Sequence, residues 1–212
     1  MKITKYEHAC LVVEEQGKLL VIDPGSYSTS LPENLTNVSA IVITHVHADH
    51  FDPTHIKNLL EQNNTAQVYC TNEVAKQLTA PNIQPVTGGD LGNAGPFHLK
   101  FFGGQHAIIH ASYPTAQNVG VLVNDKLYYP GDSFTEPSAS VQLLALPVSA
   151  PWLKLAEVMD YLTAVKPKRA FPTHNALLSD IGENMVENML GGITKTYGGS
   201  LQPIPVGETI EV

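Results

Sequence analysis

Positive charge is scarce in this chain of 212 residues. Twelve Lys and Arg stand against 20 Asp and Glu, a formal net charge of −8. The twelve are spread along the sequence and form no basic stripe. That disfavours a large nucleic acid or an anionic membrane as partner, because both are held by clustered Lys and Arg. Long apolar runs are missing too. No segment reaches the roughly 20 apolar residues of a membrane span. The opening MKITKYEHACLVVEEQGK has no apolar stretch of signal-peptide length followed by a small-residue cleavage site. The two cysteines, Cys10 and Cys70, form no CxxC-type spacing and sit in apolar, strand-like contexts, so they read as buried free thiols. Linkers, charge blocks and low-complexity segments are also lacking. The expectation is a cytoplasmic, disulfide-free single domain over residues 1–212 that acts on a small molecule, with its oligomeric state left open.

What is present alternates between strand and helix patterns. CLVVEE (10–15) and KLLVID (18–23) flank Gln16-Gly17 and predict a hairpin. SAIVIT (39–44) is a β-branched run that suits a strand buried on both faces. Asp52-Pro53 supplies a cap and first turn for a helix through Ile56, Leu59 and Leu60. AQVYC (66–70) predicts a strand and NEVAKQL (72–78) a short helix that ends before Pro81. FHLKFF (97–102), VGVLV (119–123), KLYYP (126–130), LLALP (143–147) and RAFPT (169–173) predict further strands. Residues 152–165 predict an amphipathic helix with Trp152, Leu155, Ala156, Met159 and Leu162 on one stripe. ENMVENMLGGI (183–193) predicts a late helix weakened by its glycines. The pattern points to an α/β fold, a four-layer αββα sandwich.

Histidine is concentrated. ITHVHADHFDPTH (43–55) holds four of the nine histidines and two aspartates. Alternate residues on a strand share a face, so His45 and His47 project together from the end of the IVIT strand. Asp49 and His50 follow in the turn towards the next helix and face the same space. Two imidazoles plus a carboxylate and imidazole suit two metal ions. Further ligands belong at other strand ends. His106 follows FHLKFFGGQ, Asp132 follows KLYYPG and His174 follows RAFPT, each one to four residues past an apolar run.

THVHADH, a later His after a strand, GDS and PTH, in that order, resemble the metallo-β-lactamase superfamily of metal-dependent hydrolases. KYEHACLVVEEQGKLLVIDPG and LPVSAPW resemble its small bacterial branch with the ascorbate-6-phosphate lactonase relatives. The resemblance implies the αββα sandwich, and a first metal held by His45, His47 and His106. It implies a second held by Asp49, His50 and His174, with Asp132 bridging. Imidazole and carboxylate favour Zn²⁺, with Mn²⁺, Fe and Ni²⁺ compatible. His106 is preferred over His110, which then becomes a pocket or supporting residue. A GHTxG-like motif, present after this His in the larger hydrolases, is lacking here.

Asp23 in VIDPG could simply open a turn; the family pattern makes it a partner for a metal-bound histidine. His8 stands open between a surface residue and one near the metal pocket. Asp52 reads as a cap and His55 as solvent-facing or supporting. Trp152 reads as core, although SAPW sits where a pocket wall would be. Ser133 lacks the spacing of an activated nucleophile, and the Gly-Gly pairs read as turns. A hydroxide bridging two divalent ions is a nucleophile at neutral pH, because coordination lowers the pKa of water from about 15.7 to about 7. Asp49 is the residue expected to orient it or accept its proton. A small ester or lactone, free or phosphorylated, is the expected substrate, and a small or cyclic-nucleotide phosphodiester the alternative. A non-catalytic metal-binding scaffold is disfavoured because every ligand position is filled.

Overall fold

The computed structural model describes residues 1–212. Strand β1 (Lys2–Lys5) leads into the hairpin of β2 (Leu11–Glu15) and β3 (Lys18–Ile22). Gln16 and Gly17 both adopt positive φ, 50° and 73°, as a two-residue primed turn requires. The chain continues through β4 (Val38–Ile43), α1 (Pro53–Gln62), β5 (Gln67–Cys70), α2 (Asn72–Ala75) and β6 (Ile83–Pro85). The second half holds β7 (Leu91–Ala94), β8 (Phe97–Phe102), β9 (Gly120–Val123), β10 (Leu127–Tyr129) and β11 (Leu143–Pro147). It closes with α3 (Leu155–Val165), β12 (Arg169–Thr173), α4 (Asp180–Thr196), β13 (Ser200–Leu201) and β14 (Thr209–Glu211).

These strands form two seven-stranded sheets, β14-β1-β2-β3-β4-β5-β6 and β13-β12-β11-β10-β9-β8-β7. Each mixes antiparallel hairpins with parallel pairs such as β3–β4–β5 and β10–β11–β12. The alternation of each strand decides the layering. Leu20, Ile22, Ala40 and Val42 face inward and meet Phe97, Phe101, Val121, Leu143 and Phe171 of the other sheet. Val21, Ile41, Ile43 and Val68 face outward beneath Ile56 and Leu59 of α1. Leu144, Leu146 and Ala170 lie beneath Val158, Tyr161 and Leu162 of α3 and Val186 and Leu190 of α4. The result is the expected αββα sandwich.

Burial holds the helices in place. Fully burying one such aliphatic side chain contributes about 1.5–3 kcal/mol. The exposed Lys57–Glu61 pair on α1, at 3.8 Å, is worth about 0.3–0.5 kcal/mol by comparison. Three helices depart from expectation. α2 stops at Ala75 because Gln77 and Leu78 bond to Val74 and Ala75, tightening the chain into a turn. α3 starts at Leu155, where Glu157 Oε2 accepts the Lys154 N–H at 2.8 Å; Trp152 lies before it. Its buried face is Val158, Tyr161 and Leu162, while Ala156 is exposed. α4 runs unbroken through Gly191 and Gly192, its buried Val186 and Leu190 outweighing a glycine cost of about 1 kcal/mol each.

Candidate metal centre

The cluster hangs from strand ends. β4 stops at Ile43, so His45 and His47 lie just past the strand and not on it. Their rings still meet, edge to face, with centroids 4.7 Å apart. The His47 carbonyl accepts the N–H groups of His50 and Phe51, turning the chain back on itself. Asp52 Oδ1 then accepts from Thr54 N at 2.7 Å and starts α1. The loop is also pinned from outside, where Ser26 N donates to Ala48 O. Gly25 passes so close that a Cβ there would run into the backbone of Asp49 and His50. Gly131, at φ 62°, lets Asp132 turn inward against Thr44 and Asn118.

Seven side chains converge. Donor atoms of His45, His47 and His106 lie within 4.8 Å of one another, as do those of His45, His50 and Asp132. A third group joins Asp49, His50 and His174 with His8 at the same spacing. Asp132 sits between them: Oδ1 is 3.2 Å from His50 Nε2, and Oδ2 is 3.3 Å from His106 Nε2 and 3.2 Å from His174 Nε2. Asp49 Oδ2 lies 3.2 Å from His174 Nε2 and 3.1 Å from His8 Nε2.

The outer nitrogen of each imidazole is held. His50 Nδ1 bonds Asp23 Oδ2 at 2.7 Å, and Asp23 in turn accepts from Thr44 N and Oγ1 at 2.7 and 2.6 Å. His45 Nδ1 bonds Thr44 Oγ1 at 3.0 Å. His106 Nδ1 and His174 Nδ1 donate to the carbonyls of Ala107 and Ser149, each at 2.5 Å. Such contacts fix the tautomer and turn Nε2 inward, as metal-binding histidines require. Trp152 Nε1 donates to Asp132 Oδ2 at 2.8 Å, so the indole supports the carboxylate directly.

The charge environment divides the cluster. Burial, with His50 nearby, holds His45 well below the ordinary imidazole range. Burial and His106 lower His47 as well. Burial would lower His50 and His174 too, but Asp132 and Asp23 raise the first well above its usual value. Asp132 and Asp49 raise His174 to about 9. Asp132 and Asp49 are themselves pushed below the carboxylate range, because these histidines outweigh the effect of burial. Neutral imidazoles beside two carboxylates form a donor set for divalent cations.

A direct observation supports that fit. His45 Nε2, His106 Nε2 and Asp132 Oδ1 are buried without a hydrogen-bond partner. Their neighbours stand at ion-pair distance but are not aligned to bond them. More than about 90% of buried polar groups are paired in folded proteins. Three inward-facing orphans in one cluster are the signature of a missing shared partner, and a cation supplies it.

The remaining expected residues divide. His8 is 1% exposed and packs on His174 with ring centroids 3.8 Å apart, so it belongs to the pocket and not to the surface. His110 is exposed and its Nδ1 pairs with Ser112 Oγ at 2.8 Å, outside the convergent donors; the supporting role expected for it is corrected. His55 stays outside as well, near the Pro24 carbonyl. Thr44, Tyr129 and Asn118 were not singled out from sequence. Thr44 directly precedes His45 in THVH, which is the one signal that could have flagged it.

Residues 2–174 match the family described as the beta-lactamase superfamily domain. Protein Rv0786c of Mycobacterium tuberculosis is 38% identical over 201 residues, covering 92% of this chain and 94% of that protein. A UPF0173 metal-dependent hydrolase of Geobacillus thermodenitrificans is 29% identical over the whole of both chains. In structure, the metallo hydrolase Igni18 of Ignicoccus hospitalis superposes with a TM-score of 0.73 at 16% identity, covering 99% of this chain and 97% of that one. By the extent of the family match and the identity to its relatives, the chain belongs to the beta-lactamase superfamily, among its metal-dependent hydrolases.

Proposed function

We propose that this hydrolase cleaves a small ester or lactone, with two divalent ions, Zn²⁺ favoured. His45, His47 and His106 would hold one ion and Asp49, His50 and His174 the other, with Asp132 shared. The observation that carries this reading is the set of buried, unpaired His45 Nε2, His106 Nε2 and Asp132 Oδ1 pointing into one space. Bound there, divalent ions supply an acidified water and a Lewis acid for the substrate's oxygen.

The chain's own groups do the rest. Asp132 and Asp23 are sealed, their side chains 4% and 0% exposed, while that of Asp49 is 23% exposed. Asp49 is therefore the carboxylate that faces an incoming substrate. His8 and His174 occupy its Oδ2, which leaves Oδ1 to take the proton of the attacking water. Water oxygen bonds to the carbonyl carbon, the ester C–O bond breaks, and the proton passes to the departing alkoxide. His8, which lies against Asp49 and His174, keeps that carboxylate in place.

Metal content and turnover test this together. Protein loaded with Zn²⁺, Mn²⁺, Fe²⁺ or Ni²⁺ should hold about two equivalents and hydrolyse neutral esters or lactones faster than bis-p-nitrophenyl phosphate. Asp132→Ala should abolish that turnover and keep its circular-dichroism spectrum. Tight metal binding without turnover under any metal would make the chain a binding protein. Faster phosphodiester cleavage would move the reading to a phosphodiesterase.

A further inference from the structure

Seven connections carry the residues of the site: 6–10 with His8, 23–37 with Asp23, 44–52 with His45 to His50, 103–119 with His106, 130–142 with Asp132, 148–154 with Trp152 and 174–179 with His174. Together they contain one Lys or Arg, Lys154, against seven Asp and Glu. Sites that recognise a phosphate supply cationic side chains or helix-end N–H groups for its oxygens. This rim has one exposed lysine to offer.

The same connections expose apolar side chains. Ile108 and Ile109 follow His106 by two and three residues and are 70% and 36% exposed, and Tyr113 on the same loop is 64% exposed. Tyr27 meets His8 edge-on at 5.1 Å. Leu177, three residues after His174, is exposed as well. The loop that bears Ile108 is anchored to the site, since Ala107 N donates to the Asp132 carbonyl at 2.8 Å. Clusters of this kind next to a polar centre mark a surface that a ligand covers.

We propose that the substrate is a neutral ester or lactone with an apolar tail, the tail lying on Ile108, Ile109 and Tyr113, and that phosphorylated substrates are excluded. This rests on the hydrolase reading above. The anionic rim repels a phosphorylated chain, whereas methylenes laid on the two isoleucines leave water.

The test is a series of neutral lactones of rising side-chain length, run on metal-loaded protein beside a phosphorylated ester. kcat/KM should climb about threefold for each methylene over the first few. The phosphorylated compound should fall below its neutral counterpart at least tenfold. Ile108→Ser combined with Ile109→Ser should flatten the chain-length slope, with metal content and thermal midpoint reporting that the fold is kept. A flat slope in the wild type, or a preference for the phosphorylated compound, overturns the inference and leaves the hydrolase reading standing. Hydrolysis of none of them under any metal overturns both. A double variant that turns a dimer into a monomer by light scattering, with the slope unchanged, assigns the surface to a second copy and also overturns it.

Discussion

Asp23 Oδ2 grips His50 Nδ1 at 2.7 Å with neither side chain exposed, and Thr44 fills the rest of that carboxylate. The bond turns His50 Nε2 towards Asp132 and raises its basicity. Asp23 holds φ at 47°, a left-handed conformation that Asn adopts with little strain. Asp23→Asn should therefore fold, yet lose the charge that orients His50. Metal affinity is expected to fall about 10- to 100-fold. Competition against a chromogenic chelator measures it, and unchanged affinity would remove the supporting role.

Trp152 makes a separate prediction. Its indole is the one side-chain hydrogen bond that Asp132 Oδ2 receives from outside the histidine cluster, and its ring lies edge-on to His106 and Phe134. Trp152→Phe keeps the aromatic packing and deletes the N–H. Turnover is expected to fall about tenfold, in line with losing one hydrogen bond to a charged group of about 1.5–3 kcal/mol. The thermal midpoint should move much less than in Trp152→Ala, which also opens a cavity. Equal kcat in Trp152→Phe and wild type would make the indole a packing residue only.

The sequence revealed those parts of the fold and site that depend on side-chain pattern. The VSAIVI strand is legible because both its faces are buried, and HxHxDH because chemistry demands those residue types together. Strands such as β13 and β14, of two and three residues, have too few positions for any alternation and owe their existence to the neighbour they pair with. Trp152 fitted a helical stripe on periodicity, but its polar tip found Asp132 and the helix began three residues later. The carbonyls of Ala107 and Ser149 that hold His106 and His174 could not be read, because every residue carries a carbonyl and only the fold decides where it points.

In the chelated protein, pH should act on stability with a defined sign. His174 is raised from 6.5 to about 9, and His50 is raised too. Between those values the folded chain binds more protons than the unfolded one, so stability is full below about pH 6.5 and is lost as pH rises towards 9. Saturating Zn²⁺ should reverse the trend, because imidazoles release protons to bind it and affinity grows with pH. Thermal midpoints at pH 6.5 and 9, with and without chelator, check this. A chelated protein more stable at pH 9 than at 6.5 would contradict the assigned charges.

Gly25 should tolerate no side chain. A Cβ there overlaps the backbone of Asp49 and His50, and backbone cannot swing aside as a flexible side chain can. Gly25→Ala must push the 44–52 loop outward or strain its own turn. Overpacking of this sort costs about 1–3 kcal/mol, and here the displaced atoms carry two of the proposed ligands. Gly191 is the contrast, since a Cβ placed on that helical position meets nothing within 4 Å. Gly191→Ala should stabilise by about 0.5–1 kcal/mol through helix propensity and leave turnover alone. Gly25→Ala should lower the thermal midpoint, reduce bound metal below that of the wild type and cut turnover more than tenfold. Full metal content and turnover in Gly25→Ala would mean that the loop adjusts freely, and that the close approach of Gly25 does not set the position of Asp49 and His50.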